Sequence, residues 1–370
     1  MELRRGSPEE AGVSQSRVKH IANLAEKWVS EGKTTSVIVL TARRGVIFLH
    51  AAFGRMGSEP DSPPVSQDSI FGFASVSKSF TATAIMLLVE EGFVGHNRPV
   101  KEYIPEFNGD GKDKVLVSHL LTHTSGLCDS DVEAIEDVVG GKVDLSPLEP
   151  TEDPGEHEIL YFIYRTPLWQ PPNTVFNYSN LGYCLLGEIV RRVSGQSFDS
   201  FTRERIFIPL GMEDTYFSLP DRLRERVIHH PKLDELDWDP IKQPGPPCCA
   251  YGTAMDLARF GQTFLNGGCY GDVHLLSPTT VNAMTCNQIP EIQLGLFPDG
   301  APARQFGFGF FLLNNGVQGL KVPQLASQKA YGFAGASGAF FWVDPVFELV
   351  GVFLFTLLDD DCPYDLFIDA

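Results

Sequence analysis

The sequence predicts a mixed α/β fold in which an antiparallel sheet is flanked by helices and joined to a mostly helical lobe. Two observations support this prediction. Runs with β texture lie near both ends of the chain, whereas the middle shows helical spacing. In addition, 43% of the 370 residues are hydrophobic, enough for a sizeable core. We therefore expect residues 1–68 and 297–370 to form the α/β lobe, and residues 69–296 to form the mostly helical lobe.

The N-terminal region is expected to form a helix followed by a hairpin. Residues 14–31 carry apolar side chains at helical spacing, among them Val18, Ile21 and Trp28. Two β-like runs follow, at 35–41 and 45–53. The short Ala-Arg-Arg connection between them is typical of a hairpin.

The middle of the chain is expected to be helical. Residues 79–92 are apolar nearly all round, which is typical of a buried central helix. Two further segments, 180–193 and 256–266, also have helical spacing. The C-terminal part returns to β texture in three runs, 306–313, 339–343 and 349–355.

An acidic segment interrupts the helical region. Residues 129–158 contain eleven Asp or Glu and a single lysine, with Pro and Gly scattered among them. The segment leads into an aromatic cluster that ends at Trp169. Because those aromatic residues can anchor it, we interpret 129–158 as a partly ordered insertion or lid.

Charge and cysteine usage restrict the partners and the compartment. The net charge of −18 argues against nucleic acid and against an anionic membrane surface as partners. The first twelve residues lack the apolar run of a signal peptide, and no segment has the length and polarity of a membrane span. The seven cysteines show no metal-site spacing. A reduced, cytoplasmic protein is expected.

The tetrad Ser75-Val-Ser-Lys78 is the most informative chemical motif. A serine hydroxyl becomes a good nucleophile only when a neighbouring group takes its proton. A lysine three residues later on a helix lies one turn away on the same face. The tetrad stands directly before the apolar segment 79–92, which favours a functional site over a chance match.

A second constellation is Tyr178-Ser-Asn180, which follows a Pro-Pro-Asn turn and begins a helical segment. A tyrosine beside a lysine ammonium can act as general base toward Ser75 and as general acid toward a leaving group. Asn180 offers a donor and an acceptor to a substrate carbonyl or to Lys78. The structural alternative is a half-buried tyrosine and an asparagine helix cap.

Motifs for metals, nucleotides and other cofactors are missing from the sequence. It contains no phosphate-binding G-x-x-x-x-G-K and no H-E-x-x-H. The acidic segment lacks the spacing of an EF-hand. We therefore predict that the protein uses no metal and no cofactor.

The two motifs together resemble the serine β-lactamase-like family, which includes class C β-lactamases, D-Ala-D-Ala peptidases, family VIII carboxylesterases and transesterases. The resemblance runs from about residue 7 to 358 and includes the following further stretches: SPEEAGV at 7–13, SHLLTHTSGL at 118–127, FNYSNLGYCLLGE at 176–188, PLGM at 209–212, DLARF at 256–260, and FGFGF at 306–310. It implies a β-lactamase/transpeptidase-like fold.

The resemblance also implies roles for the site residues. Ser75 would be the nucleophile, Lys78 its activator and Tyr178 the general base, with Asn180 as a polar substrate contact. The backbone amides of Ser75 and Ala336 would form the oxyanion hole. A Ser-His-Asp arrangement using His119 or His123 is the alternative, but the family uses that stretch structurally.

The third family motif departs from the pattern. Where relatives carry Lys-Thr-Gly or His-x-Gly, this chain has Phe333-Ala334-Gly335. These three residues are expected to line the substrate site. A lysine there would attract a substrate carboxylate, whereas phenylalanine cannot. The departure disfavours β-lactamase or D-amino-acid peptidase activity.

The sequence and the resemblance together predict a serine carboxylesterase that works through an acyl-enzyme on Ser75, with a small-molecule ester substrate as its partner. Three alternatives remain. The first is an acyltransferase, or transesterase, that moves the acyl group to a natural-product alcohol. The second is a β-lactamase or D-amino-acid peptidase. The third is a catalytically silent binding protein of the same fold.

Overall fold

The structure is a computed structural model of the 370-residue chain. It describes residues 1–131, 154–230, 245–246, 248, 250–290, 292–294, 305–313 and 325–356. Most of the predicted acidic insertion 129–158 therefore lies outside the described residues.

A seven-stranded sheet forms the centre of the fold, with strand order β1-β3-β2-β13-β12-β11-β10. All neighbours are antiparallel except β1 and β3. In the described residues the strands are β1 Arg4–Arg5, β2 Ser36–Arg43, β3 Val46–Gly54, β4 Phe71–Gly72, β5 Val175–Phe176, β6 Tyr251–Gly252, β7 Cys269–Tyr270, β8 Val273–His274, β9 Gln293–Leu294, β10 Phe311–Leu312, β11 Tyr331–Ala334, β12 Ala339–Asp344 and β13 Leu349–Phe355.

Eight α-helices accompany these strands in the described part of the chain. They are α1 Gln15–Ser30, α2 Ser77–Glu90, α3 Val117–Leu121, α4 Pro154–Arg165, α5 Asn180–Ser194, α6 Phe198–Thr202, α7 Ala254–Leu265 and α8 Pro278–Met284. The predicted helices at 14–31, 79–92, 180–193 and 256–266 are confirmed to within two or three residues at each end.

Alternating side chains of the sheet bury two separate apolar faces. Val37 and Val39 of β2 belong to the cluster that α1 covers with Trp28. Ile38 and Leu40, their neighbours on the same strand, belong to the larger cluster that contains α2 and α7. This two-residue period is what a strand covered on both faces requires. The predicted sheet built from both ends of the chain is confirmed.

The C-terminal β runs are confirmed for 339–343 and 349–355, but the run 306–313 is mostly irregular. Only Phe311–Leu312 is a strand there. Gly309 has φ +80°, and an added Cβ would lie 2.3 Å from the Cβ of Ala82 on α2. The backbone thus turns against the central helix instead of continuing along the sheet.

The central helix α2 is buried on every side. All residues from Ser77 to Leu88 are buried, and Phe80 packs edge-to-face against Phe207, Phe217 and Phe260. The all-round apolar pattern of this segment therefore predicted its position correctly. No helix in the described residues is long and apolar enough to cross a membrane. The lobe boundaries at 68/69 and 296/297 stay a prediction.

Candidate active site

Ser75 lies in a tight turn between β4 and α2. A short 3-10 helix, Ala74–Val76, leads directly into α2. Ala74 has φ +46°, a left-handed conformation that is strained for a residue with a side chain. The Ser77 hydroxyl donates to the Ala74 carbonyl at 2.6 Å and accepts from the Ala250 amide at 3.0 Å. These bonds hold the turn, so that half-buried Ser75 stays accessible at its end.

Lys78 links the two sequence motifs. Its side chain is fully buried one turn after Ser75, and Nζ donates to Ser75 Oγ at 3.2 Å. Nζ also donates to Asn180 Oδ1 at 2.8 Å and lies 4.8 Å from the centre of the Tyr178 ring. The structure thus brings together all four residues that the two sequence motifs nominated. Such a cluster can move a proton away from Ser75.

The Tyr178-Ser179-Asn180 segment is held at the N-terminus of α5. Ser179 is the N-cap residue, and its hydroxyl accepts from the Gly182 amide at 3.3 Å. Asp129 accepts from Ser179 Oγ at 2.6 Å and from the Asn180 amide at 2.8 Å. No local sequence pattern marks Asp129 for this position, because the contact joins residues fifty positions apart. A carboxylate is favourable there, since helix N-termini stabilise negative charge.

His123 lies behind Tyr178. Its Nδ1 accepts from the Ser179 amide at 3.1 Å, and its ring stacks on the Tyr178 ring with 4.4 Å between centroids. Burial, together with the charge of Lys78, holds the pKa of His123 well below its usual range. His119 instead accepts the Leu116 amide at the start of α3. Neither imidazole forms a hydrogen bond with Ser75 among the described residues.

Phe333 lies in β11, the strand that leads to the turn carrying Ser75. Its side chain is 1% exposed and packs against Phe311 and Phe306, with ring centroids 4.7 and 6.1 Å away. The ring therefore belongs to the apolar core on that face of the sheet. A direct contact between Phe333 and a substrate stays a prediction.

Gly335, two residues after Phe333, lies directly against Phe73 and Ala74, next to Ser75. An added Cβ on Gly335 would lie 2.3 Å from the Phe73 carbonyl oxygen, so a side chain there would push the two segments apart. Ala334 and Ala336 are exposed beside it. The Ala336 amide donates to no acceptor among the described residues. This is the property that the predicted oxyanion hole requires.

Metal ligands do not cluster in the described part of the chain. It contains no group of three or more His, Cys, Asp or Glu side chains that could hold a metal ion. The described cysteines, at positions 128, 184, 248, 269 and 286, are not joined to one another by disulfide bonds. That the reaction needs no cofactor stays a prediction.

Comparison with known proteins gives the family of the chain. The family model described as Beta-lactamase matches residues 19–365. The chain belongs to the beta-lactamase family. It is therefore a member of a family of serine hydrolases, and the resemblance noted in the sequence is confirmed.

Individual relatives have different names. A protein of Escherichia coli K12 with the provisional name D-alanyl-D-alanine carboxypeptidase is 28% identical over 95% of this chain and 85% of its own length. The structure titled EstCE1, a hydrolase with promiscuous acyltransferase activity, superposes with a TM-score of 0.77 at 20% identity, over 96% and 99% of the two chains. A family VIII carboxylesterase has a TM-score of 0.73 at 21% identity, over 95% and 96%. These structures establish the predicted β-lactamase-like fold.

Proposed function

We propose that the protein is a carboxylesterase that cleaves neutral esters through an acyl-enzyme on Ser75. The observation that supports this most directly is the position of the Lys78 ammonium, which bonds both Ser75 Oγ and Asn180 Oδ1 beside the Tyr178 ring. A silent binding protein would have no physical need to bury a lysine at this point.

The reaction follows from this arrangement in two steps. In acylation, Ser75 Oγ attacks the ester carbonyl carbon while its proton passes to the Tyr178–Lys78 pair. The amides of Ser75 and Ala336 stabilise the oxyanion, and the alcohol leaves with the proton. In deacylation, a water molecule attacks the acyl carbon and gives one proton to the same pair. The carboxylic acid is released, and Ser75 regains its proton.

The charges around the nucleophile support a neutral substrate. Lys78 is already engaged by Ser75 and Asn180. Buried, apolar Phe333 occupies the position where relatives carry a cation or imidazole. Asp129 adds a carboxylate next to the Asn180 amide. The Asp129 carboxylate would therefore repel a substrate carboxylate that approaches from this side, whereas it would not repel an uncharged ester.

The proposal is tested with p-nitrophenyl acetate, butyrate and octanoate, with nitrocefin alongside, for the wild type and Ser75→Ala. We expect ester turnover that is lost in the variant and little nitrocefin cleavage. The preferred chain length would measure the acyl pocket. Strong Ser75-dependent nitrocefin cleavage would instead favour a β-lactamase, and release of D-alanine from a D-alanyl-D-alanine peptide would favour a carboxypeptidase.

A second candidate is acyl transfer to an alcohol. It is favoured by the structural similarity to a hydrolase described as having promiscuous acyltransferase activity. The acylation step is identical, and an alcohol replaces water in the second step. Adding 1-butanol to the p-nitrophenyl butyrate assay distinguishes the two, because transfer produces butyl butyrate.

The remaining alternative is a catalytically silent binding protein of the same fold. Fluorophosphonate labelling of the wild type but not of Ser75→Ala would exclude it.

A further inference from the structure

His123 occupies a demanding position beside the candidate active site. It is 1% exposed and has φ +57°, in the left-handed region. Aromatic rings surround the imidazole at centroid distances of 4.4, 5.0, 5.0 and 5.6 Å, those of Tyr178, Tyr183, Phe306 and Phe176. An apolar side chain would fill this space more simply.

The histidine is energetically costly here. Because Nδ1 accepts the Ser179 amide, the neutral ring carries its proton on Nε2. That Nε2 is buried and has no hydrogen-bond partner in the described part of the protein. An unpaired buried donor costs about 1–3 kcal/mol. The left-handed backbone of His123 adds conformational strain to this cost. Such costs concentrate at functional sites.

His123 contacts the Tyr178 segment in three ways. Its backbone carbonyl accepts from the Asn177 amide at 2.8 Å, one residue before the tyrosine. Its Nδ1 accepts from the Ser179 amide at 3.1 Å, one residue after it. Its ring stacks on the tyrosine ring itself, with an angle of 30° between the planes. Both flanking amides and one face of the phenol ring are therefore held by one residue.

We propose that His123 is a positioning residue, a neutral imidazole that holds Tyr178 in register with Ser75 and Lys78. The inference rests on the proposed role of Tyr178 as the proton-transfer group. The titratable side chains around the imidazole are Lys78 on α2, Tyr178, and Tyr183 on α5. A protonated imidazole would place a second cation in this buried group, which desolvation and repulsion from Lys78 oppose.

The test compares His123→Phe with His123→Asn. Phenylalanine keeps a ring beside Tyr178 but leaves the Ser179 amide unpaired. Asparagine loses the ring but keeps an oxygen acceptor and tolerates the left-handed backbone. We expect His123→Phe to lower kcat by about 100-fold with KM within about twofold, the effect of a displacement of about 1 Å. His123→Asn should retain about tenfold more activity than His123→Phe.

The pH dependence separates positioning from a purely structural role. In His123→Phe the phenol is no longer held at a fixed distance from Lys78, so the acidic limb of kcat should move to higher pH. His119→Asn is the matched control, because His119 also accepts a backbone amide but forms no hydrogen bond or ring contact with Tyr178 in the described part of the chain. It should change thermal stability and leave kcat and the pH profile unchanged. If folded His123→Phe has the same kcat as the wild type and the acidic side of its pH profile of kcat is unchanged, the proposal is overturned.

Two further measurements cover failure of the variants or of the proposed function. If His123→Phe does not fold, nitrogen NMR of the wild type tests the same point. A neutral ring protonated at Nε2 is expected throughout the active pH range, and an imidazolium would refute it. If the wild type cleaves no ester, the rate of Ser75 labelling by a fluorophosphonate replaces kcat. Labelling that is equally fast in wild type and His123→Phe would refute positioning, whereas absence of labelling in the wild type would refute the esterase proposal itself.

Discussion

Substitution of Gly335 by alanine should disable the candidate oxyanion hole without removing any polar group. The added Cβ would lie 2.3 Å from the Phe73 carbonyl oxygen, whereas ordinary contacts of a Cβ begin near 3.4 Å. Gly335, which directly follows β11, must therefore move by about 1 Å relative to the turn that carries Ser75. A displacement of this size at a reacting centre lowers the rate by about 100-fold, or about 3 kcal/mol of transition-state stabilisation.

The assay is kcat for p-nitrophenyl butyrate, measured on folded protein and compared with Gly182→Ala. Gly182 lies in helix α5, and its added Cβ would meet Leu120 only at an ordinary 3.7 Å. That control should keep wild-type kcat and gain a few tenths of a kcal/mol to about 1 kcal/mol in stability from helix propensity. If Gly335→Ala retains wild-type kcat, the close approach of β11 does not position the oxyanion hole, and the reasoning is refuted.

Three further predictions concern single charges. Lys78→Met should lower kcat by about 1000-fold and slow fluorophosphonate labelling of Ser75, because the Tyr178–Lys78 pair that receives the Ser75 proton loses the Lys78 ammonium; unchanged labelling would contradict this role. Asp129→Asn should raise kcat/KM for a p-nitrophenyl ester with an acyl-chain carboxylate about fivefold relative to the butyrate ester, since about 1 kcal/mol of repulsion is removed; an unchanged ratio would show that Asp129 does not select against anions. Burial raises the pKa of Asp256 from 3.8 to about 6, so the folded state binds this proton more tightly than the unfolded state. Its contribution therefore makes the free energy of unfolding fall by about 2 kcal/mol as pH rises from 4 to 7, and urea denaturation of Asp256→Asn should lack that slope.

The sequence by itself determined the main elements and nominated the candidate reactive groups. Period-two and helical patterns located β2, β3, β13 and the central helix, because these elements bury whole faces and need apolar residues at fixed spacing. The Ser75–Lys78 spacing also needed no tertiary information, since residues three positions apart on a helix lie on the same face. The run 306–313 has the pattern of a strand but is mostly irregular, because periodicity does not indicate the approach of α2 at Gly309.

Only the tertiary structure decided which distant residues complete the site. Asn180 reaches Lys78 across 102 positions, and Asp129 and His123 reach Ser179 across 50 and 56. Such contacts depend on how helices and loops pack, which local spacing does not encode. Phe333 shows the same limit. Its type in the sequence excluded a cation at this position, but whether its ring faced solvent or core depended on Phe306 and Phe311 packing against it.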